Sequence, residues 1–371
     1  MRSFLFFCLV TMFLSSCKEQ GFFSPGEVWL DNKGVHINAH GGGVLFNKGK
    51  YYWFGEHKTE GKNGNVANVG IHCYSSKNLY NWKDEGVVLN VEPENSGSDI
   101  EKGCILERPK VIYNALTDKY VMWFHLERKG KGYNDAHCGM AIADNPTGPY
   151  QFVKSFRPDV GTWPVNYPVE KKNDSVGGMK SFFGGSSVPQ HPDSLNIIRR
   201  DMDSGQQSRD MTVFVDDDGK AYHIYSSESN STLHISLLTD DYQGYAGKYA
   251  RFFAGRFMEA PAIFKKDGKY YLIMSGCTGW APNAGRSAVA NSIWGPWEEL
   301  GNPFKGDDAK TSFHSQSTYI LPYPGNNGRF IYLGDRWKPE DAIDGRYIWL
   351  PINFHDSGFT IEWKDKWSLD E

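Results

Sequence analysis

Five segments of the chain repeat one arrangement of polar and apolar positions. Each segment has a polar start, a short run rich in β-branched and aromatic residues, a polar or Gly-containing turn, and a second aromatic run. Two such runs around a tight turn predict a β-hairpin. The five predicted hairpins cover residues 40–56, 107–125, 209–228, 259–276 and 316–335.

A further pair of predicted strands follows each hairpin. We find no helical periodicity of any length. Four antiparallel strands in each of five units predict an all-β, five-bladed β-propeller, and the alternative is a β-sandwich with accidental internal similarity. The second pairs are clear in residues 70–89, 139–153 and 286–300, and less clear in residues 233–242 and 346–354.

A long segment separates the second unit from the third. Residues 154–208 are rich in Gly, Pro, Ser and Asp and have no strand pattern. A loop of this length in a compact fold is usually functional or disordered. We predict a lid-like insertion over one face of the propeller, and the alternative is a surface excursion without a role. The predicted catalytic domain is single and covers residues 31–371.

The amino-terminal residues have the features of an export signal. Arg2 supplies a positive charge, and residues 3–14 form an apolar run that is too short to span a bilayer and is followed by small residues. This run ends in Leu-Ser-Ser-Cys, which resembles the bacterial lipobox, whose cysteine is acylated and becomes the first residue of the mature protein. We predict a signal peptide over residues 1–16 and lipidation of Cys17, with a plain secretory signal as the alternative.

This interpretation predicts where the protein is located. The domain would follow a linker over residues 17–30 and be lipid-anchored to a bacterial outer membrane, on its periplasmic or cell-surface face. No other stretch approaches 18 apolar residues, so the lipid anchor is the only predicted membrane contact. Disulfide pairing is left open for the four cysteines that remain after processing, which are Cys73, Cys104, Cys138 and Cys277.

Composition narrows the choice of partner. The formal net charge of -4 argues against a nucleic-acid partner, because phosphate binding needs a clustered basic surface. The chain has 12 Trp, 20 Tyr and 23 Phe, which is more aromatic surface than a helical bundle needs. Aromatic rings also stack on sugar rings, so the predicted partner is a polysaccharide or oligosaccharide.

Polar and acidic residues recur where the predicted blades begin. The first strand of each propeller blade lines the central channel, so the residues that open these strands converge at one mouth of it. Neighbouring strand residues face opposite ways, so an offset of one residue between blades requires a bulge or an irregular strand start. When the hairpins are aligned, polar residues occupy two neighbouring positions. Glu107 and Glu259 occupy the first position, and Asp210 and Gln316 occupy the second. The first hairpin has His40 at the first position and Gly41 at the second.

Carboxylates that meet near one axis repel each other, which raises at least one pKa. Pairs with separated pKa values are the usual basis of acid and base roles in catalysis. The structural alternative is ion pairing of each carboxylate with the neighbouring Arg108 or Arg209.

Longer motifs resemble one enzyme family. Arg209-Asp210 with its following β run, and residues 258–261 (Met-Glu-Ala-Pro), resemble the pKa-modulator and acid motifs of glycoside hydrolase family 43. The resemblance implies a five-bladed propeller with an Asp base, an Asp modulator and a Glu acid. The base Asp expected in the first blade is absent, because residues 39–43 read Ala-His-Gly-Gly-Gly.

This departure is similar to the exo-β-1,3-galactanase branch of the family and its close relatives. The similarity runs from about Asp31 to the end of the chain. It implies an inverting, exo-acting hydrolase that releases galactose from β-1,3-galactan or arabinogalactan side chains. The alternatives are an α-L-arabinofuranosidase or β-D-galactofuranosidase of the same family, and a non-catalytic glycan-binding lipoprotein. The other shared motifs lie at residues 52–56, 107–111, 275–280, 314–316 and 334–337.

The resemblance implies a role for each candidate residue. Glu259 is the predicted general acid, and Asp210 tunes its pKa and orients it. Glu107 and Gln316 are assigned jointly to the attacking water, with carboxyl groups roughly 6.5–9.5 Å apart. No cofactor is expected, although a structural calcium near His314 or His40 is left open beside an ordinary structural histidine. The predicted sugar contacts are Glu56, Trp280, Asp335, Trp337 and His40.

Overall fold

Five antiparallel sheets follow one another along the chain and form the five blades of a propeller. The computed structural model describes residues 21–177, 191–323, 325, 328–356 and 358–371. The first strands of neighbouring blades contact each other in a closed ring. This confirms the predicted five-bladed β-propeller.

Each blade is built from strands that are consecutive in the chain. The strands of the first two blades are β1 (His40–Asn47), β2 (Lys50–His57), β3 (Gly70–Ser76), β4 (Lys83–Asn90), β5 (Ile105–Asn114), β6 (Lys119–Glu127), β7 (His137–Ala143) and β8 (Gln151–Phe156). Those of the next two are β9 (Met211–Val215), β10 (Ala221–Ser227), β11 (Thr232–Leu238), β12 (Tyr245–Phe252), β13 (Met258–Lys266), β14 (Lys269–Gly276), β15 (Arg286–Ala290) and β16 (Glu298–Gly301).

The last blade has a fifth strand. It contains β17 (Phe304–Lys305), β18 (Gln316–Pro322), β19 (Phe330–Arg336), β20 (Arg346–His355) and β21 (Gly358–Glu362). β17 pairs in parallel with the outer strand β21, whereas the prediction had four antiparallel strands in every blade. The chain leaving the fourth blade meets this outer edge before it crosses to the channel, and the pairing covers part of an otherwise open sheet edge.

Apolar side chains of adjacent blades form the core. Trp123 and Phe124 are neighbours on β6, and both are fully buried. Successive strand residues point to opposite faces of a sheet, so Phe124 packs with the first blade and Trp123 packs with the third. Strands that are apolar on both faces therefore fill the two interfaces of one blade.

The ring closes between the fifth and first blades without a shared strand in the described part of the chain. Phe23 exchanges backbone hydrogen bonds of 2.8 and 3.1 Å with Trp367, and their rings stack with centroids 4.5 Å apart. Gly26 N–H donates to the Tyr347 carbonyl at 2.9 Å, and Ala39 N–H donates to the Tyr347 hydroxyl at 2.8 Å. Residues 21–30, which we predicted as linker, are thus packed on the propeller.

The other amino-terminal predictions lie outside the described residues. These are the signal peptide over residues 1–16, the lipidation of Cys17 and the linker residues up to 20. Among the described residues, no helix is long and apolar enough to cross a membrane. The four cysteines of the described body are all free thiols.

The insertion packs beside the third blade. It begins after β8 and contains a 3₁₀ turn (Val169–Lys171) and two short helices, α1 (Pro192–Leu195) and α2 (Ile197–Arg200). Val165 N–H donates to the carbonyl of Tyr249 at 2.8 Å, and Asp159 accepts a hydrogen bond from the Tyr225 hydroxyl at 3.0 Å. The remaining 3₁₀ turns of the described chain are Ala309–Thr311 and Ala342–Asp344.

Candidate active site

A cavity of about 290 Å³ opens at the channel mouth where the first strands begin. Glu107, Asp210, Glu259 and Gln316 all line it, so the predicted convergence of the blade starts is observed. The full lining is Glu56, Lys58, Glu107, Arg108, His125, Tyr133, Arg209, Asp210, Asn230, Glu259, Cys277, Gly279, Trp280, Gln316 and Trp337.

A β-bulge follows the opening residue in three of the blades. Glu107 pairs with His125 and Lys110 pairs with Trp123, which leaves one extra residue on β5. The same shift follows Glu259 on β13 and His40 on β1. It supplies the irregular strand start that the sequence required. The residue after each opening position is left-handed, with φ of 61° at Gly41, 58° at Arg108 and 53° at Ala260.

Glu259 is a buried carboxyl group on the cavity wall. Its side chain accepts hydrogen bonds from Gln316 Nε2 at 3.1 Å and from Asn230 Nδ2 at 3.4 Å. Burial, helped by the negative charge of Asp210, raises the pKa of Glu259 to about 7. Glu259 therefore holds a proton close to neutral pH, as a general acid must.

Arg108 ties Asp210 to the rest of the site. Its guanidinium donates to both carboxylate oxygens of Asp210, at 3.1 and 3.0 Å, which is the bidentate geometry that Arg favours. It also donates to Gln316 Oε1 at 2.5 Å and lies 5.4 Å from the centre of the Trp337 ring. Ion pairing with arginine was the structural alternative to a catalytic role for these carboxylates. The observed Arg108–Asp210 ion pair is part of the cavity wall.

Glu107 is held as an anion by a buried histidine. Its oxygens accept from the Tyr133 hydroxyl at 3.2 Å and contact His125 Nδ1 at 3.1 Å. Burial alone would raise the pKa of Glu107, but the hydrogen bond and charge of His125, with Lys58 and Arg108 nearby, lower it to about 2. Glu107 is thus ionised under the conditions in which Glu259 is protonated.

His125 is in turn clamped between two carboxylates. Its Nε2 lies 2.9 Å from Glu127 Oε1, and Ala136 N–H donates to Glu127 Oε2 at 2.7 Å. Burial disfavours the charged imidazole, but the hydrogen bonds to Glu107 and Glu127 raise the pKa of His125 to about 10. The side chain is therefore an imidazolium at neutral pH.

The Gln316 amide has a partner at every polar position. Its oxygen accepts from Arg108 Nη2 at 2.5 Å and from Trp337 Nε1 at 3.1 Å. Its nitrogen donates to Glu259 Oε1 at 3.1 Å and to Ser275 Oγ at 2.9 Å. These contacts fix the orientation of the amide between the Arg108 guanidinium and the Glu259 carboxyl group.

The remaining cavity wall combines a buried ion pair with aromatic rings. Glu56 is buried, lies 2.5 Å from Lys58 Nζ, and accepts from the Arg108 backbone N–H at 2.9 Å. Trp280 is 48% exposed at the rim, and its ring lies edge-on to Trp337 with centroids 6.0 Å apart. The structure brings these three predicted sugar contacts, Glu56, Trp280 and Trp337, into one cavity with the catalytic candidates.

Comparison with known proteins identifies the family. A solved family 43 β-1,3-galactosidase with galactodeoxynojirimycin superposes with a TM-score of 0.88, is 51% identical, and covers 94% of this chain and 100% of that one. The family model "Glycosyl hydrolases family 43" matches residues 155–316. The chain belongs to glycoside hydrolase family 43. It is a glycosidase.

Two further family 43 structures are similar over most of this chain. An exo-β-1,3-galactanase from Phanerochaete chrysosporium with β-1,3-galactotriose has a TM-score of 0.76 and 31% identity, covering 94% of this chain and 68% of that one. An exo-β-1,3-galactanase from Clostridium thermocellum has a TM-score of 0.74 and 34% identity, covering 94% of this chain and 66% of that one. The search of curated proteins gave no match.

Two predicted sugar contacts of this family 43 enzyme do not line the cavity. His40 is 1% exposed and packs between the rings of Trp337 and Tyr347. Asp335 is 3% exposed and accepts a hydrogen bond from the Gly41 N–H, so the Gly41 backbone lies against its carboxyl group. Both differences occur at the left-handed Gly41, which follows His40 in the chain and donates its amide hydrogen to Asp335.

The insertion does not form a lid in its described part. None of the described residues between 157 and 208 lines the cavity of this glycosidase. They contact strands β10 and β12 of the third blade instead, at the Tyr225 hydroxyl and at the carbonyl groups of Tyr249 and Arg251. Residues 178–190 lie outside the described part.

The one acidic group with metal-ligand spacing in the described residues already has protein partners. Glu107, His125 and Asp210 have possible ligand atoms within 4.8 Å of one another. However, both ring nitrogens of His125 already contact carboxylates, and Arg108 engages both oxygens of Asp210. Calcium takes six to eight oxygen ligands, which this arrangement does not offer. Of the two histidines considered for calcium, His314 is half-exposed and lies 3.3 Å from Asp308, and His40 is buried outside the cavity lining.

Sequence reasoning missed several cavity residues. His125 lies directly opposite Glu107 in the hairpin, so the register of residues 107–125 carried a signal for it. Lys58 lies one residue past the end of β2 and two positions after Glu56, the spacing that returns a side chain to the same face of an extended segment. Tyr133, Asn230 and Cys277 lie in connections between strands. These connections have no alternating pattern from which the direction of a side chain could be predicted.

Proposed function

We propose that this glycosidase is an exo-acting β-1,3-galactan hydrolase that releases galactose, from galactan or arabinogalactan side chains, with inversion of the anomeric configuration. The relatives named as a β-1,3-galactosidase and as exo-β-1,3-galactanases support the substrate. One observation carries the mechanism. Glu259 is a carboxyl group with a pKa raised to about 7, and it shares a small cavity with Glu107, whose pKa is lowered to about 2.

Glu259 is the proton donor in this proposal. As the bond between the anomeric carbon and the glycosidic oxygen breaks, the proton of Glu259 moves to the departing oxygen, and the leaving sugar departs as an alcohol. The nearby negative charge of Asp210 favours the protonated form of Glu259 before the reaction. Arg108 holds Asp210 in place through two hydrogen bonds.

In this proposal Glu107 activates the attacking water, and Gln316 fixes the groups around that water. An inverting hydrolysis needs this water on the face of the sugar opposite the acid. As the water oxygen bonds to the anomeric carbon, its proton passes to the ionised Glu107, whereas the amide of Gln316 holds Arg108, Trp337 and Glu259 in place. The neighbouring cation of His125 keeps Glu107 from taking up a proton in advance.

The shape of the cavity supports exo action. A cavity of about 290 Å³ accommodates a single sugar ring rather than a continuous chain. Its wall offers buried charges, Glu56 with Lys58, that suit the hydroxyl groups of a terminal sugar. The exposed ring of Trp280 at the rim supports stacking of the next sugar.

Export with a lipid anchor on Cys17 is a separate part of this proposal. The apolar run and the lipobox-like sequence before Cys17 support it. Because residues from Phe23 onward pack on the propeller, such an anchor would hold the domain close to the membrane. Cys17→Ala should move the protein from the membrane fraction to the soluble fraction, and an unchanged distribution would contradict the anchor.

A substrate panel tests the activity. Galactose release is expected from β-1,3-galactan and its oligosaccharides, with the α-anomer appearing first by NMR. Release of arabinose or galactofuranose from nitrophenyl α-arabinofuranoside or β-galactofuranoside alone would move the substrate to those sugars. Binding without turnover of any of them would make the protein a glycan-binding lipoprotein, and a β-anomer appearing first would overturn inversion.

Leaving-group dependence tests the role of Glu259. Glu259→Gln should lose on the order of 10²–10⁴-fold in kcat on β-1,3-galactobiose. The loss should shrink with nitrophenyl β-galactoside, whose leaving group needs little protonation. Glu107→Gln and Gln316→Ala should slow both substrates alike, because attack by water is common to both. Equal losses of Glu259→Gln on the two substrates would contradict the donor role.

A further inference from the structure

The connection after β10 has an unusual backbone. Glu228, Ser229 and Asn230 are consecutive and all left-handed, with φ of 49°, 60° and 64°. For residues other than Gly this conformation is costly, and it persists only where the surroundings enforce it. Strain of this kind concentrates at functional sites, so the run points to something that Asn230, at its end, does in the cavity.

Buried hydrogen bonds enforce the strained run. Arg251 donates to both carboxylate oxygens of Glu228, at 2.7 and 2.6 Å, and His234 contacts the same carboxylate at 2.9 Å. Gln207 Oε1 accepts from the Ser229 N–H at 2.7 Å and from its hydroxyl at 3.2 Å. The run is thus fixed at its first two residues.

One of these restraints comes from the insertion, and a second is contacted by it. Gln207 lies at the end of the insertion and is buried. Arg251 also donates to Asp193, in helix α1, at 2.6 Å. The insertion therefore reaches the back of the strained run, on the side away from the cavity.

The strained run presents Asn230 to the general acid. Asn230 Nδ2 lies 3.4 Å from Glu259 Oε2, whereas Gln316 Nε2 lies 3.1 Å from Glu259 Oε1. One amide N–H group therefore faces each oxygen of the carboxyl group. Two donors at opposite oxygens restrict rotation of the carboxyl plane, and this fixes the direction in which Glu259 delivers its proton.

We propose that Asn230 is a positioning residue for Glu259, and that the insertion serves as a brace for the strained run that carries Asn230. The inference rests on the proposed role of Glu259 as proton donor. The insertion then acts on catalysis from behind the site, through Gln207 and Ser229, rather than by covering the cavity.

Variants of Asn230 test the first part. Asn230→Ala should lower kcat on β-1,3-galactobiose about tenfold, the usual worth of a hydrogen bond to a charged group, with a small change in KM. Nitrophenyl β-galactoside should be affected much less. The alkaline limb of the pH profile should move to higher pH, because the ionised form of Glu259 loses a donor. Asn230→Asp keeps the shape and should move the limb in the same direction.

The pH shift is interpretable because the other charges near Glu259 stay in place. A uniform loss on both substrates with an unchanged pH profile would overturn the positioning role. The groups that act on Glu259 from the surrounding elements are Asp210, Arg108, Gln316, Cys277, Arg209 and Arg286.

Gln207 and Gln206 form a matched pair for the second part. Both are buried, but Gln206 Nε2 donates to the Ile198 carbonyl within the insertion and does not contact the strained run. Gln207→Ala should reproduce the Asn230→Ala pattern in weaker form, whereas Gln206→Ala should change stability alone. Equal kinetic effects of the two would refute the brace. If Glu259→Gln lacks its leaving-group dependence, the proposed function fails first, independently of Asn230.

Discussion

His125→Gln tests the electrostatic design of the site most directly. In the wild type one buried imidazolium lies 3.1 Å from Glu107 and 2.9 Å from Glu127. Gln is of similar size and keeps a hydrogen-bond donor, but it removes the positive charge. The two carboxylates would then remain buried without the cation that they share.

The structure sets the size of the effect. At 3.1 Å and an effective dielectric constant of about 20, each contact has a Coulomb energy of about 5 kcal/mol before the cost of burying the charges. Removal of one partner from a buried pair costs about 3–5 kcal/mol net. For a chain of this length we expect the melting temperature to fall by roughly 4–7 °C.

The pH dependence has a definite sign. The pKa of His125 is raised from 6.5 to about 10, so its stabilisation is fully present below pH 6.5 and is lost as the pH rises through about 10. The difference in stability between wild type and His125→Gln should therefore be largest at pH 5–6.5 and close to zero above pH 10. The variant should also lose activity at acidic pH, because burial would then raise the pKa of Glu107.

Thermal unfolding between pH 5 and 10.5, together with the pH profile of kcat/KM, measures both effects. His314→Gln is the matched control, because His314 also pairs with a carboxylate but is half-exposed, and exposed pairs contribute little. A variant of His125 that melts with the wild type at pH 6 would refute the buried imidazolium.

Two other substitutions separate binding from folding. Trp280→Ala should raise KM for β-1,3-galactobiose severalfold without changing the melting temperature. The reason is that the ring is 48% exposed and contributes little to the core. A lowered melting temperature would contradict this. Gly41→Ala should destabilise the protein and abolish activity, because φ is 61° and a Cβ atom would collide with Glu56 Oε1. A stable and active Gly41→Ala variant, by calorimetry and galactose release, would show that this backbone is free to shift.

The repeat in the sequence was sufficient to predict the blades, because hairpin turns and apolar runs are local properties. It also predicted the meeting of Glu107, Asp210, Glu259 and Gln316, which follows from strand order around a ring. The offset between blades was visible as a conflict with strand alternation, and the bulges resolve it.

What the sequence did not predict depends on contacts between distant segments. Asp335 lies opposite Gln316 in its hairpin. Its carboxyl group nevertheless accepts a hydrogen bond from the Gly41 amide of another blade and does not reach the cavity. Asn230 gains its direction from a strained backbone that Gln207 and Arg251 restrain. Neither arrangement leaves a periodic signal, and the packing of the insertion on the third blade has none either.

The way in which the ring closes affects how the enzyme comes apart. No strand of the described chain is exchanged between the first and last blades. The boundary is held by packing of Trp53 against Trp349 and Tyr347, by the arm at residues 21–30, and by the hydrogen bond from Gly41 to Asp335. Every other boundary joins blades that are consecutive in the chain. Sub-global opening should therefore begin at this boundary, with early hydrogen exchange of the Gly41 amide. Since the boundary runs through the floor of the cavity, catalysis would cease while the individual blades are still intact.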